Sequence, residues 1–257
     1  MIDIHAHVLP GIDDGPSDLE GSMELIRQGY RDGIRGVVCT SHVLDELTDE
    51  TERIFRNKFR QLQARIKEEA LPVTLWLGSE IHCQTIFDPA RPLATLNGNG
   101  KYLLIELPLS HLPSQAREIL FNLSMKGITP ILAHPERNGA ILENTRLAWE
   151  FVRQGVLLQI NAGSITGRFG RGTRKLALTL LDHNLVSFVA SDCHRASSRP
   201  LILSKAREIV TRRWGRGWAE VLFELNPYRA VQGMEIDPPE PVSQDEKVTF
   251  LRRLFRG

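Results

Sequence analysis

The chain has 257 residues, enough for one large domain or two small ones, and its 42% hydrophobic and 25% charged content is that of a folded globular protein. Lys and Arg total 32 against 31 for Asp and Glu, so no global field exists to gather nucleic acid or an anionic membrane. Three scattered cysteines without a CxxC pair exclude a disulfide framework and a thiolate zinc site. Together with an opening Met1-Ile2-Asp3-Ile4-His5 that carries no leader pattern, and no apolar run near the roughly 18 residues of a membrane span, they point to a cytoplasmic protein without membrane insertion.

Short runs rich in β-branched residues alternate with segments of helical period, the pattern of an α/β fold built on a parallel sheet. In chain order the spacing predicts strand 2–5, helix 18–31, strand 36–40, helix 51–69, strands 74–80 and 102–106, and helix 114–125. Strand 129–134, helix 145–153, strand 157–161, helix 174–183, strand 187–192 and helix 201–212 follow. Ser17 stands three residues before Glu20 in capping-box spacing, and Gly33, Gly127 and Gly155 read as helix C-caps. No repeat or Gly/Ser-rich linker divides the chain, so a single domain spans 1–257, with 238–257 as a C-terminal extension beyond the interruption Asp237-Pro238-Pro239-Glu240-Pro241. Residues 247–256 read as a short basic amphipathic helix docked by its Phe and Leu face, with a membrane or partner surface as the second reading. The charged helix 51–69 reads as a solvated face, with an oligomer contact as its second reading.

Nearly every predicted strand ends in a residue able to ligate a metal. His5 and His7 flank the end of the first, His42 follows the second, Glu80 and Glu106 end the third and fourth, His134 ends the fifth, and Asp192 with His194 closes the seventh. In a parallel barrel those ends converge on one face. His5-Ala6-His7 and Asp192-Cys193-His194 use the two-residue period of extended chain to aim two donors the same way. Asn161, ending the sixth strand, is the exception. Of the eight histidines, His82, His111 and His183 fall outside the set and read as structural. Imidazole and carboxylate without thiolate suit Mn, Fe or Zn. Cys193 lies between two of these residues and should face the core. It also begins a C-x5-R run ending at Arg199, the spacing of cysteine-dependent phosphatases; the run holds no glycine and is followed by Pro200 rather than a helix start, so that mechanism is set aside.

With these residues the chain resembles the PHP (polymerase and histidinol phosphatase) superfamily, and within it the bacterial tyrosine-protein phosphatases of the CpsB/YwqE (CpsB/CapC) type. The segments carrying the resemblance are Met1 to His7, Asp13-Asp14-Gly15-Pro16, Ser41-His42, Ala133-His134-Pro135-Glu136-Arg137-Asn138 and Ser191-Asp192-Cys193-His194. The resemblance implies a distorted seven-stranded β/α barrel, TIM-like, holding three metal ions, Mn first with Fe or Zn as alternatives. It implies that His5, His7, Glu80 and Asp192 hold the first ion, that Glu80 bridges to a second held with Glu106 and His134, and that Asp14, His42 and His194 hold the third, with Asp13 competing for the place of Asp14. Arg137 and Arg199 match its phosphate-binding arginines, whose planar forks suit phosphoryl oxygens. The implied activity is hydrolysis of phosphotyrosine by a metal-activated hydroxide, the phenolate leaving easily with its pKa near about 10. The implied setting is capsular or exopolysaccharide synthesis, with a bacterial tyrosine autokinase as substrate. A phosphatase for small phosphomonoesters such as histidinol phosphate, and a non-catalytic kinase-docking subunit, are the alternatives.

Overall fold

The computed structural model describes residues 1–242 of the chain, so the predicted tail helix 247–256 lies outside the described residues. Among the described residues there are nine short parallel strands: β1 (Ile2–Ala6), β2 (Gly36–Cys39), β3 (His42–Val43), β4 (Thr74–Leu77), β5 (Glu80–His82), β6 (Tyr102–Glu106), β7 (Thr129–Ala133), β8 (Leu157–Asn161) and β9 (Val186–Ala190). They form one sheet in the order β1-β2-β4 and a second in the order β3-β5-β6-β7-β8-β9. The α/β architecture and the parallel strand order are as expected, while the strands fall into two sheets and do not close into a single seven-stranded barrel. The predicted run 74–80 breaks at Gly78-Ser79, where the Ser79 hydroxyl donates to the Leu93 carbonyl. The second predicted strand stops at Cys39, because Thr40 uses its Oγ1 to accept the Ala6 amide, and the chain resumes as β3 at His42. That side-chain bond also accounts for the slip in register between β1 and β2 after Asp3. Where β9 ends, a single bridge between Ala6 and Cys193 returns the chain to β1.

The helices, in chain order, are α1 (Leu19–Arg31), α2 (Asp49–Glu68), α3 (Ala116–Met125), α4 (Gly139–Glu143), α5 (Arg146–Arg153), α6 (Ala162–Thr166), α7 (Arg171–Asp182), α8 (Ser204–Trp214), α9 (Arg216–Glu220) and α10 (Asn226–Val231). Asp18, not Ser17, caps α1, its carboxylate accepting the Gly21 amide at 2.8 Å; the charged side chain one residue nearer the helix takes the position. Gly33, Gly127 and Gly155 do adopt the left-handed conformation expected after a helix, with φ of 89°, 78° and 85°.

Strand alternation splits the apolar side chains into two clusters. Leu103, Ile105, Leu132, Leu158, Ile160 and Val189 pack outward under the helices. Ile4, Val38, Leu104, Ile131, Leu157 and Phe188 fill an inner cluster closed from below by Ala230 and Val231 of α10. The two-residue period carries the inner face upward, from Leu104 to Glu106, from Leu157 through Gln159 to Asn161, and from Phe188 through Ala190 to Asp192. The inner apolar cluster is thus the floor on which a polar cluster stands. Below it, the Tyr102 hydroxyl donates to the Met234 carbonyl, and the Pro-rich segment ends with Val242 exchanging bonds with the His183 backbone carbonyl and Nδ1. His183 is structural as read.

Candidate functional site

On the polar floor the strand-end donors converge. His5 Nε2 and His7 Nε2 lie 3.1 Å apart, each 3.2 Å from Glu80 Oε2 and 3.6 Å from Asp192 Oδ1. Four atoms bound tetrahedrally at the ~2.1 Å typical of nitrogen and oxygen ligands stand about 3.4 Å from one another. The spacing fits one small ion. Glu80 Oε1 reaches His134 Nε2 at 3.1 Å, and Glu106 Oε1 approaches the same nitrogen at 3.5 Å. Asp14 Oδ1 lies 3.0 Å from His194 Nε2 and 3.7 Å from His42 Nε2. His42 stands between the groups, since its Nδ1 lies 3.0 Å from Glu80 Oε2 and 3.6 Å from Glu106 Oε2. All nine candidate donors are brought together, whereas His82 and His111 stay outside: His82 accepts the Gln84 amide at 3.4 Å and His111 bonds Ser110.

Asp13 and Asp14 separate cleanly. Asp13 Oδ2 is 2.7 Å from His7 Nδ1 and also accepts the His42 amide, so it supports a candidate ligand and turns away from the donor cluster; Asp14, with its side chain 62% exposed, points into it. Asp13 thereby holds a proton on His7 Nδ1, so that Nε2 is the nitrogen a cation would take in place of a proton. His5 is held the same way by an amide chain: Nδ1 bonds Gln159 Oε1 at 2.7 Å, Gln159 Nε2 donates to Asn161 Oδ1 at 2.9 Å, and Asn161 Nδ2 donates to Asp192 Oδ2 at 2.6 Å. Such outer partners fix ring orientation and ligand basicity. Sequence reading missed Gln159 and Asn161, though both continue the inner face of β8. Glu136 was missed as well; its buried carboxylate accepts the Asn161 amide and the Ser164 hydroxyl, anchoring the end of β8.

Two of the donors use strained backbone. His134 has φ 32° and Asp192 φ 54°, left-handed values that cost a non-glycine residue on the order of 1 kcal/mol or more and gather at functional sites. For His134 the reason is visible in the parity: Ile131 and Ala133 occupy the inner cluster, so the next side chain would point outward without that twist.

The electrostatics favour cations. Burial alone opposes ionisation of Glu80, yet the imidazoles of His5, His134 and His42 hold its carboxyl well below the usual carboxylate range. Burial likewise opposes a charged His7, but its bonds to Asp13 and Glu80 push it up to about 10. Glu106 moves the other way, raised by burial and by the Glu80 charge. Glu80 Oε2, His42 Nδ1 and His194 Nε2 are buried without a hydrogen-bond partner, although the first two lie 3.0 Å apart. A buried acceptor left unpaired costs roughly 1–3 kcal/mol, a cost that a bound cation removes. The residues present therefore fit a multinuclear cluster of borderline or hard ions.

Both arginines reach this cluster through Asp192. Arg137 Nη1 donates to Oδ2 at 3.0 Å, and Arg199 Nη2 lies 2.5 Å from Oδ1. The Arg137 guanidinium stacks on Phe169, 4.4 Å from the ring centroid, a cation–π contact that holds the fork flat. Cys193 is fully buried in the outer core, and burial together with the Asp3 charge pushes its thiol well up, away from the nucleophilic thiolate. Three amides of the loop after it bond within the loop: those of His194 and Arg195 donate to the Arg199 carbonyl, and that of Arg199 donates back to Arg195. They are not free to cradle phosphate. Cys193→Ser should retain phosphatase activity within about threefold, checked by steady-state kinetics with thermal melting as the control for packing.

A parallel α/β scaffold whose strand ends gather histidines and carboxylates into one cation-seeking cluster, with two arginine forks at its edge, defines a metal-binding protein of the hydrolase kind. The chain belongs to the CpsB/CapC family of capsular polysaccharide synthesis proteins, whose model matches residues 1–232. It is 35% identical over 256 residues to the tyrosine-protein phosphatase YwqE of Bacillus subtilis, covering 98% of this chain and 100% of that protein. It is 33% identical over 241 residues to the tyrosine-protein phosphatase CpsB of Streptococcus pneumoniae, covering 90% and 98%. A solved structure from the work describing YwqE and CpsB as unique metal-dependent tyrosine phosphatases superposes with a TM-score of 0.83 at 33% identity, over 95% of this chain and 100% of that one.

Proposed function

We propose that this chain is a metal-dependent protein-tyrosine phosphatase, one catalytic domain over 1–257 with 238–257 as its extension. The observation that carries the reading is the buried, partly orphaned donor cluster around Glu80, set against Arg137 and Arg199. The activity of the similar proteins from Bacillus and Streptococcus supports it. Three ions are assigned, Mn first and Fe or Zn next: one to His5, His7, Glu80 and Asp192, one to Glu80, Glu106 and His134, and one to Asp14, His42 and His194. The two sheets are taken as a distorted barrel, open where β2 passes to β3 and β4 to β5 and joined at Ala6 and Cys193.

When bound, such ions supply Lewis-acid charge to phosphoryl oxygens and lower the pKa of water towards neutrality. The protein's own groups do the rest. Arg137 and Arg199 orient the phosphoryl group with planar donor forks, which matters because phosphoryl transfer depends on positioning and charge stabilisation more than on covalent chemistry. Asp13, Gln159 and Asn161 hold His7, His5 and Asp192 in place before any substrate arrives. The exposed carboxylate of Asp14 marks the open side, where a tyrosine on a protein surface can enter. A phenolate leaves without a strong general acid, so the absence of a dedicated acid from the scheme is no obstacle.

The substrate is assigned as a bacterial tyrosine autokinase acting in capsule or exopolysaccharide assembly, and the place of action as the cytoplasm. Among the described residues no helix is long and apolar enough to cross a membrane. The decisive test is metal content of the purified protein together with hydrolysis of a phosphotyrosine peptide before chelation, after it, and on readdition of Mn. Bound ions and activity that vanish and return together are expected. A metal-free protein that Mn does not activate would overturn the proposal, and a large preference for small aliphatic phosphates would move it to another substrate class.

A further inference from the structure

A cavity of about 60 Å³ lies beside this site, between α6, the turn carrying Arg168 and Phe169, and the start of α8. It shares two walls with the site itself. Arg199, whose Nη2 touches Asp192, forms one, and Phe169, whose ring carries the Arg137 guanidinium, forms the other. Arg168 and Lys205 complete a lining that has three cationic side chains and no acidic one.

Two charges of this lining, those of Arg168 and Lys205, have no carboxylate partner among the described residues, unlike several arginines elsewhere, while Arg199 is paired with Asp192 through Nη2 alone. Arg27 is paired with Glu20 and Glu69, Arg117 with Glu150 and Arg213 with Asp182. Among the described residues Arg168 meets only the Ser198 carbonyl, Lys205 has no carboxylate partner, and Arg199 Nε is buried without an acceptor. The amides at the start of α8 do not contribute, because the Asp32 carboxylate already accepts from Leu203 and Ser204. Arg168 and Lys205 repel each other beside a small cavity, the Arg199 charge being shared with Asp192, and an anion of matching size relieves that repulsion. The volume admits a carboxylate or a few waters and is too small for a drug-sized ligand.

We propose that this cavity receives the carboxylate of an Asp or Glu flanking the phosphotyrosine in the protein substrate. The proposal rests on the phosphotyrosine reading of the adjoining site: a phosphate held by Arg137 and Arg199 sits on the two walls that the cavity shares, so the residues next to the tyrosine pass over its mouth. It makes Arg168 and Lys205 determinants of specificity, acting on peptide selection and not on the reacting atoms.

The test uses the metal-loaded full chain and a set of fluorescent phosphotyrosine peptides in which a single Glu is moved within about three residues on either side, each with a Gln counterpart. Affinity is read by anisotropy and kcat/KM by phosphate release. At one or two positions the Glu peptide should bind about five- to tenfold more tightly than its Gln counterpart, the ratio shrinking at high salt as expected for the exposed charges of Arg168 and Lys205. In the R168Q/K205Q double variant that ratio, internal to the variant, should fall to one. No discrimination at any position, or discrimination that survives in the double variant, would overturn the proposal. Because affinity is read separately, a chain that prefers Glu peptides but turns none over would refute the phosphatase reading while upholding the subsite.

Discussion

Glu80→Gln should lower kcat/KM for a phosphotyrosine peptide on the order of 10³-fold, equivalent to about 4 kcal/mol. Glu80 is the carboxylate assigned to two of the three ions, with Oε2 facing His5, His7 and His42 and Oε1 facing His134. Glutamine keeps the shape but replaces one acceptor oxygen with an N–H donor and removes the negative charge that offsets four imidazoles. Elemental analysis should show fewer ions per chain than in the wild type. Circular dichroism and thermal melting separate this from misfolding. Wild-type turnover with unchanged metal content would show that Glu80 is no ligand.

Arg137→Ala should cost about 10²- to 10³-fold, the range found when one preorganised donor to a transition-state charge is removed. Most of the loss should fall on kcat, since an aligned fork gains most when the phosphoryl charge spreads. Arg137→Lys restores the charge without the planar fork or the stacking on Phe169, and should recover no more than about tenfold. A lysine variant as active as the wild type would reduce Arg137 to a non-specific cation. Metal content should be the same in both variants, which distinguishes this loss from that of Glu80→Gln.

Much of this site was legible because its chemistry repeats at a fixed place in the strand. His5 with His7, and Asp192 with His194, announce themselves by two-residue spacing after apolar runs, and all end up at the cluster. What failed to show were features settled by contacts across the fold. Asp13 and Asp14 are chemically alike and adjacent; only the imidazole of His7 and the amide of His42 decide between them. The breaks at Thr40 and Ser79 are made by hydroxyls bonding distant backbone, so the apolar run 36–40 gave no sign of one and the run 74–80 hid the other. Gln159 and Asn161 were passed over because neutral amides do not look like metal chemistry, although their position on β8 mirrors that of Asp192 after β9. The segment Arg216 to Val231, which supplies α9 and α10 and the plug under the inner cluster, carries Pro227 and a short, mixed pattern that does not read as helix.

The amide chain from His5 to Asp192 has a direction. Each member donates a hydrogen bond to the next, from imidazole to Gln159 to Asn161 to carboxylate, and the last acceptor has none to return. Reversing the chain would require both amides to rotate half a turn, the imidazole to exchange its tautomer and Asp192 to become a donor, four changes that must happen together in a space without solvent. The chain therefore behaves as a latch with one closed position. It fixes the His5 Nδ1 proton and the accepting oxygen of Asp192 as the protein folds, so the cost of arranging the site is met during folding and not at each encounter with a cation or a substrate.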